Sequence, residues 1–316
     1  MKTRQLGKNG PEITVIGLGT WAIGGPWDWG WGPQNDEDSI AAIRQSLVNG
    51  INWIDTAPVY GLGHAEEVVA QALDGYNRDE VFIATKCGLV WDDRGRVDRN
   101  LHPESIRKEI DASLKRLKTE YVDLYQHHWP DQNVPVEDSW GELVRLQEEG
   151  KVRYIGVCNY DVPLLRRCAA IAPVQSLQPP YSMVKREIEK EILPYCREQQ
   201  IGVVAYSPLQ TGLLTGKVSK ERLAPDDWRH KSEFFKEPKY SRVQKLVDQL
   251  RPIAERKNLT LAQLAIAWVL AQPVITSAIV GARNAQQAME NAAAAEAKLT
   301  PEILQDIDAL LVDFQP

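Results

Sequence analysis

One pattern dominates the 316-residue chain: a short run rich in β-branched residues, a longer amphipathic stretch, then another short run. Residues 13–17, 52–56, 81–86, 121–127, 152–158, 174–178, 202–207 and 277–280 read as eight strands. Most are nearly continuous apolar runs, as expected where both faces of a parallel sheet are covered. Helical patterns lie between them. Residues 39–49 set Ile40, Ile43 and Leu47 on one face and stop at Gly50. Pro103 stands where a first helical residue would, with Ile106, Ile110 and Leu114 following on one face. Residues 136–149 run to a second glycine stop, Gly150. Strand then helix, repeated with short connections, predicts a closed (β/α)8 or TIM barrel. An open doubly wound sheet is the competitor, and eight units in one chain favour closure.

Two segments depart from the repeat. The opening predicts a β-hairpin around Asn9-Gly10-Pro11 that caps the barrel floor. Residues 208–240, after the seventh strand, form a long charged loop broken by Gly and Pro, a length associated with function. No linker divides the chain, so 1–316 reads as a single domain. At 43% hydrophobic it can bury a full core. Its net charge of −6 offers no footprint for nucleic acid or an anionic membrane. The polar start has no apolar leader, and the most apolar stretch, 261–282, is interrupted by Gln263, Gln272, Pro273 and Thr276. Cys87, Cys158, Cys168 and Cys196 show neither framework spacing nor a CxxC pair, which suits reduced thiols in the cytoplasm.

Barrel enzymes carry their reactive groups where strands end. Here the second strand leads into Asp55 and Tyr60, the third ends at Lys86, the fourth at His127-His128, the fifth at Cys158-Asn159. Neighbouring strands lie about 4.8 Å apart, so Asp55 and Lys86 are within reach of each other. An acid, a phenol, a cation and an imidazole at one barrel face suit proton donation to a carbonyl. The expectation is that the ammonium lowers the pKa of the phenol and that the aspartate keeps the lysine charged. Each residue taken alone is more often a cap, a core phenol or a surface charge; the joint placement carries the argument. The two histidines also invite a metal. Successive strand side chains point to opposite faces, however, and no other ligand spacing supports one.

Gly17-Leu18-Gly19-Thr20-Trp21-Ala22 imitates a dinucleotide fingerprint, but the glycine-rich stretch behind it cannot open the helix that motif needs. Trp21, Trp27, Trp29 and Trp31 crowd one loop at the exit of the first strand. Core packing explains tryptophans such as Trp268; a glycine-spaced cluster is better read as the wall of a pocket, which Trp129 could join.

These residues resemble the aldo-keto reductases over nearly the whole chain. Gly17–Trp21 as GLGTW, WIDTAPVYG from Trp53, TK at Thr85-Lys86, and SLKRLKTEYVDLYQHHWP from Ser113 match that family's signatures. So do IGVCNY from Ile155, AYSPLQTGLLTGK from Ala205 and AIVGARNAQQAMEN from Ala278. The chain is most similar to the bacterial branch that resembles potassium-channel β subunits. The resemblance implies a barrel that binds NADP(H) and reduces an aldehyde or ketone by hydride transfer. It implies Tyr60 as general acid, Asp55 and Lys86 tuning it, and His128 as the catalytic imidazole. Trp21, Trp27, Trp129, Tyr60 and His128 would line the substrate. Asn159 and Gln178 would meet the cofactor's carboxamide beside Gly19, Thr20, Trp21, Asp55 and Cys158, with Tyr206 under the nicotinamide. Ser207, Pro208, Leu209, Gly212 and Lys217 would follow the diphosphate, and Gly281, Arg283, Gln287, Glu290 and Asn291 the adenosine end. Cys158 stands where many members have Ser. Gly281-Ala282 replaces a Lys-Ser pair that grips the 2′-phosphate in other branches, which leaves that task to Arg283.

Two other functions fit parts of the sequence. One is a cofactor-bound redox sensor or regulatory subunit with slow turnover; the other is an aldolase or isomerase that uses Lys86 covalently. The intact tetrad argues against the first, and an ion pair to Asp55 against a neutral, nucleophilic Lys86. The expected partner is a small carbonyl compound, and the expected state a monomer or weak homo-oligomer.

Overall fold

The computed structural model describes all residues except Asp226, Gln315 and Pro316. Strands β1 (Thr3–Gln5) and β2 (Glu12–Thr14) pair antiparallel as the expected hairpin. Eight strands then close a barrel: β3 (Ile16–Gly19), β4 (Trp53–Asp55), β5 (Phe82–Cys87), β8 (Val122–His127), β9 (Val152–Cys158), β10 (Ser176–Gln178), β11 (Gly202–Ala205) and β12 (Ile275–Gly281). Every neighbouring pair is parallel. Between β5 and β8 a second hairpin, β6 (Leu89–Trp91) and β7 (Val97–Arg99), rises from the end of β5. The helix layer comprises α1 (Asp36–Val48), α2 (His64–Ala72), α3 (Pro103–Leu117), α4 (Val136–Glu148), α5 (Val162–Ala169) and α6 (Ile192–Gln199). It continues with α7 (Lys239–Arg256), α8 (Leu261–Ala271), α9 (Ala285–Ala293) and α10 (Pro301–Leu310). None of the helices among the described residues is long and apolar enough to cross a membrane.

The first barrel strand departs from expectation. The sequence predicts it over 13–17, yet Glu12–Thr14 belongs to the hairpin and the barrel strand begins at Ile16. Thr14 is the reason: its hydroxyl donates to the Ile16 carbonyl at 2.7 Å, while Val15 donates to the Lys2 carbonyl, so the chain turns at Val15. Helix α1 starts three residues before the expected 39, because the Asn35 side chain accepts from the Asp38 amide and three acidic residues follow.

The hairpin closes the barrel floor through Leu6 and Ile13, which pack on Trp53, Ala84, Leu124, Val204 and Ile279. Trp53 fills the barrel because Gly17 has no side chain: a Cβ there would stand 2.0 Å from the indole. The Trp53 Nε1–H donates to the Thr14 carbonyl at 3.1 Å, so the buried ring leaves no polar atom unpaired. With the floor plugged, the opposite end of the barrel is the open one.

The segment over 208–240 is not a bare loop. Short turns at Leu213–Thr215, Lys220–Arg222, Trp228–Lys231 and Glu233–Phe235 order it, and Phe234 and Phe235 anchor it in the core. Asp226, inside it, lies outside the described residues.

Candidate active site

Strand register builds the site. Asp55 pairs with Ala84, so Lys86 stands one inward-facing position beyond it on the neighbouring strand. The Lys86 ammonium donates to Asp55 Oδ2 at 2.8 Å, to the Thr56 carbonyl at 2.8 Å and to the Tyr60 hydroxyl oxygen at 3.3 Å. An ammonium has three N–H donors, and all three are spent. The other carboxylate oxygen of Asp55 accepts from Gln178 Nε2 at 2.8 Å. Lys86 and Asp55 are fully enclosed, 0% and 2% exposed, which makes their attraction far stronger than in water. Burial alone would favour a neutral lysine; the Asp55 and Tyr60 partners reverse that and hold Lys86 above its ordinary range.

Tyr60 corrects an expectation. Its hydroxyl is pushed up to about 12 rather than down, because burial outweighs the pull of Lys86, whose charge Asp55 already offsets. The phenol therefore keeps its proton at neutral pH. Its ring lies edge-on to His128, with centroids 5.7 Å apart. Burial, helped by the Lys86 charge, holds the His128 imidazole far below its usual range and hence neutral. The two adjacent histidines diverge as strand geometry requires. His127 turns to the helix layer, shares a 2.8 Å hydrogen bond with the Tyr160 hydroxyl and lies edge-on to Trp140. Burial pushes it down to about 3.

The remaining candidates line the same open end. Gly19 pairs with Asp55 on one side and with Gly281 on the other. Thr20 donates to Thr56 Oγ1 at 2.8 Å. Cys158, buried at the end of β9, is followed by Asn159, whose amide donates to the His128 carbonyl at 3.0 Å and accepts from the Tyr206 hydroxyl at 2.9 Å. Ser207, Pro208, Leu209 and Gly212 follow β11 in one turn-rich path, and Lys217 lies 3.9 Å from Glu290 on α9. Gln287 accepts from the Arg283 amide, and Asn291 donates to the Gly281 carbonyl at 3.0 Å. The Arg283 side chain donates to Gln34 Oε1 and to the Pro33 carbonyl, both at 2.6 Å.

Trp27 faces Tyr60 with centroids 6.5 Å apart. Its loop is locked to the tyrosine, because Gly24 and Gly61 meet backbone to backbone: a Cβ on Gly61 would stand 1.9 Å from the Gly24 carbonyl oxygen. Trp129 pairs with the Arg99 guanidinium at 5.3 Å rather than with the indole cluster. Sequence reasoning missed Thr56, which contributes a backbone carbonyl that no side-chain motif betrays. It also missed Trp228, a lone indole in a charged stretch that becomes significant only where the chain returns to Trp21.

Comparison with known proteins agrees with this geometry. The sequence model of the Aldo/keto reductase family matches residues 15–312. The chain belongs to the aldo/keto reductase family. It is 38% identical to the aldo-keto reductase YhdN of Bacillus subtilis, over 98% of this chain and 94% of that protein. It is 37% identical to a protein of Escherichia coli named NADH-specific methylglyoxal reductase, over 99% of this chain and 97% of the other. Among solved structures, a glycerol dehydrogenase of Gluconobacter oxydans superposes with a TM-score of 0.89 at 37% identity, covering 99% of this chain and 96% of that one. As an aldo/keto reductase barrel, the chain is an oxidoreductase acting on carbonyl groups.

Proposed function

We propose that this reductase converts aldehydes or ketones to alcohols with NADPH, and that Tyr60 delivers the proton. The observation that carries the reading is the saturated ammonium of Lys86. Because Lys86 donates to the Tyr60 oxygen, the tyrosine's own proton must point elsewhere, toward the open mouth. As that proton leaves, the adjacent ammonium stabilises the phenolate, while the N–H of neutral His128 can hold the carbonyl oxygen in place. When bound, the nicotinamide supplies the hydride.

The residues fit such a cofactor. Asn159 and Gln178 spend part of their amide groups on His128, Tyr206 and Asp55, which fixes their orientation and leaves donors and acceptors for a carboxamide. Tyr206 offers an aromatic face beside them. The clamped Arg283 supports an anion at the adenosine end; the E. coli relative named NADH-specific is the competing precedent. We read 1–316 as one domain, working in the cytoplasm with its four cysteines free, as a monomer or weak homo-oligomer.

Tryptophan fluorescence titrated with each cofactor tests this. NADPH is expected to bind about tenfold more tightly than NADH, and Arg283→Ala to erase the difference. Equal affinities in the unaltered protein would remove the NADPH preference and leave the reductase. Binding of neither would remove both.

The pH profile follows from the tyrosine. A general acid works while protonated and is lost as pH rises through its pKa, here about 12. Reduction should therefore show no Tyr60 limb between about pH 6 and pH 9. Alcohol oxidation, which needs Tyr60 deprotonated, should rise by about tenfold per pH unit over that range. A fall in kcat for reduction centred near neutrality counts against Tyr60 as the acid.

A further inference from the structure

Arg78, Arg116 and Arg229 are each held by a carboxylate: Asp123 at 2.7 Å, Glu66 at 2.7 Å and Asp227 at 2.6 Å. Arg283, just beyond β12, is held without one. Its Nε–H donates to Gln34 Oε1 and one Nη2–H to the Pro33 carbonyl, and among the described residues it forms no ion pair. Gln34 Nε2 donates in return to the Arg283 carbonyl at 2.8 Å and to Ser39 Oγ of α1 at 3.0 Å. One amide thus grips both the backbone and the guanidinium of Arg283, and buried Ser39 anchors that amide. The clamp joins the connection after β3 to the connection after β12, which are neighbouring strands of the barrel. Two of the five guanidinium N–H groups are engaged, so three remain, together with the uncancelled positive charge. Lys217, the other cation expected at this end, already stands 3.9 Å from Glu290.

We infer that Gln34 is a positioning residue for cofactor selection, aiming Arg283 at the 2′-phosphate that separates NADPH from NADH. A neutral clamp fixes the guanidinium without cancelling its charge, whereas a carboxylate in the same place would do both. An unfixed arginine loses rotamer freedom when an anion holds it. Here that freedom is lost on folding, so the phosphate meets a preorganised fork. A phosphomonoester accepts parallel N–H bonds from such a fork, while the hydroxyl of NADH carries no charge to answer it. Gln34 therefore bears on one cofactor and hardly on the other.

The inference rests on the NADPH reading, and the experiment separates the two. Dissociation constants for NADPH and NADH are measured by tryptophan fluorescence in the unaltered protein, Gln34→Leu, Arg283→Ala and the double variant. Circular dichroism confirms each fold. Leucine keeps an extended side chain and removes every hydrogen-bonding atom. The NADPH preference is expected to fall by about three- to tenfold in Gln34→Leu, through NADPH alone, with NADH moving less than about twofold. In the Arg283→Ala background the same substitution should change the preference by less than about twofold, because Gln34 acts through the guanidinium. Gln34→Glu is the second variant: it keeps an acceptor at Arg283 but adds a counter-charge, so the preference should fall at least as far. A preference retained in these variants, an equal loss of both cofactors, or a loss that persists without Arg283 overturns the inference and leaves the NADPH reading standing. Equal affinities in the unaltered protein overturn both.

Discussion

Tyr60→Phe should lower kcat for carbonyl reduction by about 10²–10⁴-fold while the protein stays folded and still quenches its tryptophans on cofactor addition. The size follows from what is removed. Phenylalanine keeps the ring against Trp27 and His128 and deletes only the oxygen that receives from Lys86. No group as acidic stands beside it: Asp55 holds the Lys86 ammonium above its ordinary range, and burial holds His128 neutral. The change should fall on kcat with KM shifted little, since the proton is transferred only in the transition state. Turnover within a few-fold of the unaltered protein would show that another donor acts. A large rise in KM with kcat intact would give Tyr60 a binding role instead.

The barrel was legible because its signal is periodic and redundant. Eight apolar runs with intervening helical faces still predict closure when one boundary slips, as the first strand's did. That slip has a local cause, a threonine hydroxyl bending the chain at Val15, and single hydroxyl contacts leave no periodic trace. The hairpin formed by β6 and β7 was missed for a related reason: its two three-residue strands are too short to show alternation.

The site was legible in part. Strand-end position sufficed for Asp55, Lys86 and the histidine pair, because topology alone brings strand ends together. It could not supply the sign of the Tyr60 shift. That depends on the balance between burial and a cation already paired to Asp55, and dryness is a property of the assembled mouth rather than of any motif. Trp228 escaped for the same reason. It lies far from Trp21 in the chain, and only the path of the long segment brings the two rings together, tilted at 36° with centroids 5.1 Å apart.

Lys86→Met tests the electrostatic frame beneath the tyrosine. The substitution leaves the Asp55 carboxylate buried with Gln178 as its side-chain hydrogen-bond donor and no cation beside it. Breaking a buried pair from one side costs about 3–5 kcal/mol, which for a chain of this size predicts a fall in Tm on the order of 5–10 °C. Activity should fall as well, because the phenolate left by proton transfer loses the charge that stabilises it. The double variant Asp55→Asn/Lys86→Met removes the stranded carboxylate and should recover much of the lost Tm. It should not recover the activity, since the cation is still missing. That split is the decisive feature: stability returns when the charges balance, whereas catalysis needs this ammonium at this oxygen. If the double variant regained both, the pair would be structural and Tyr60 would not depend on Lys86. If it regained neither, the loss would lie in packing rather than in charge.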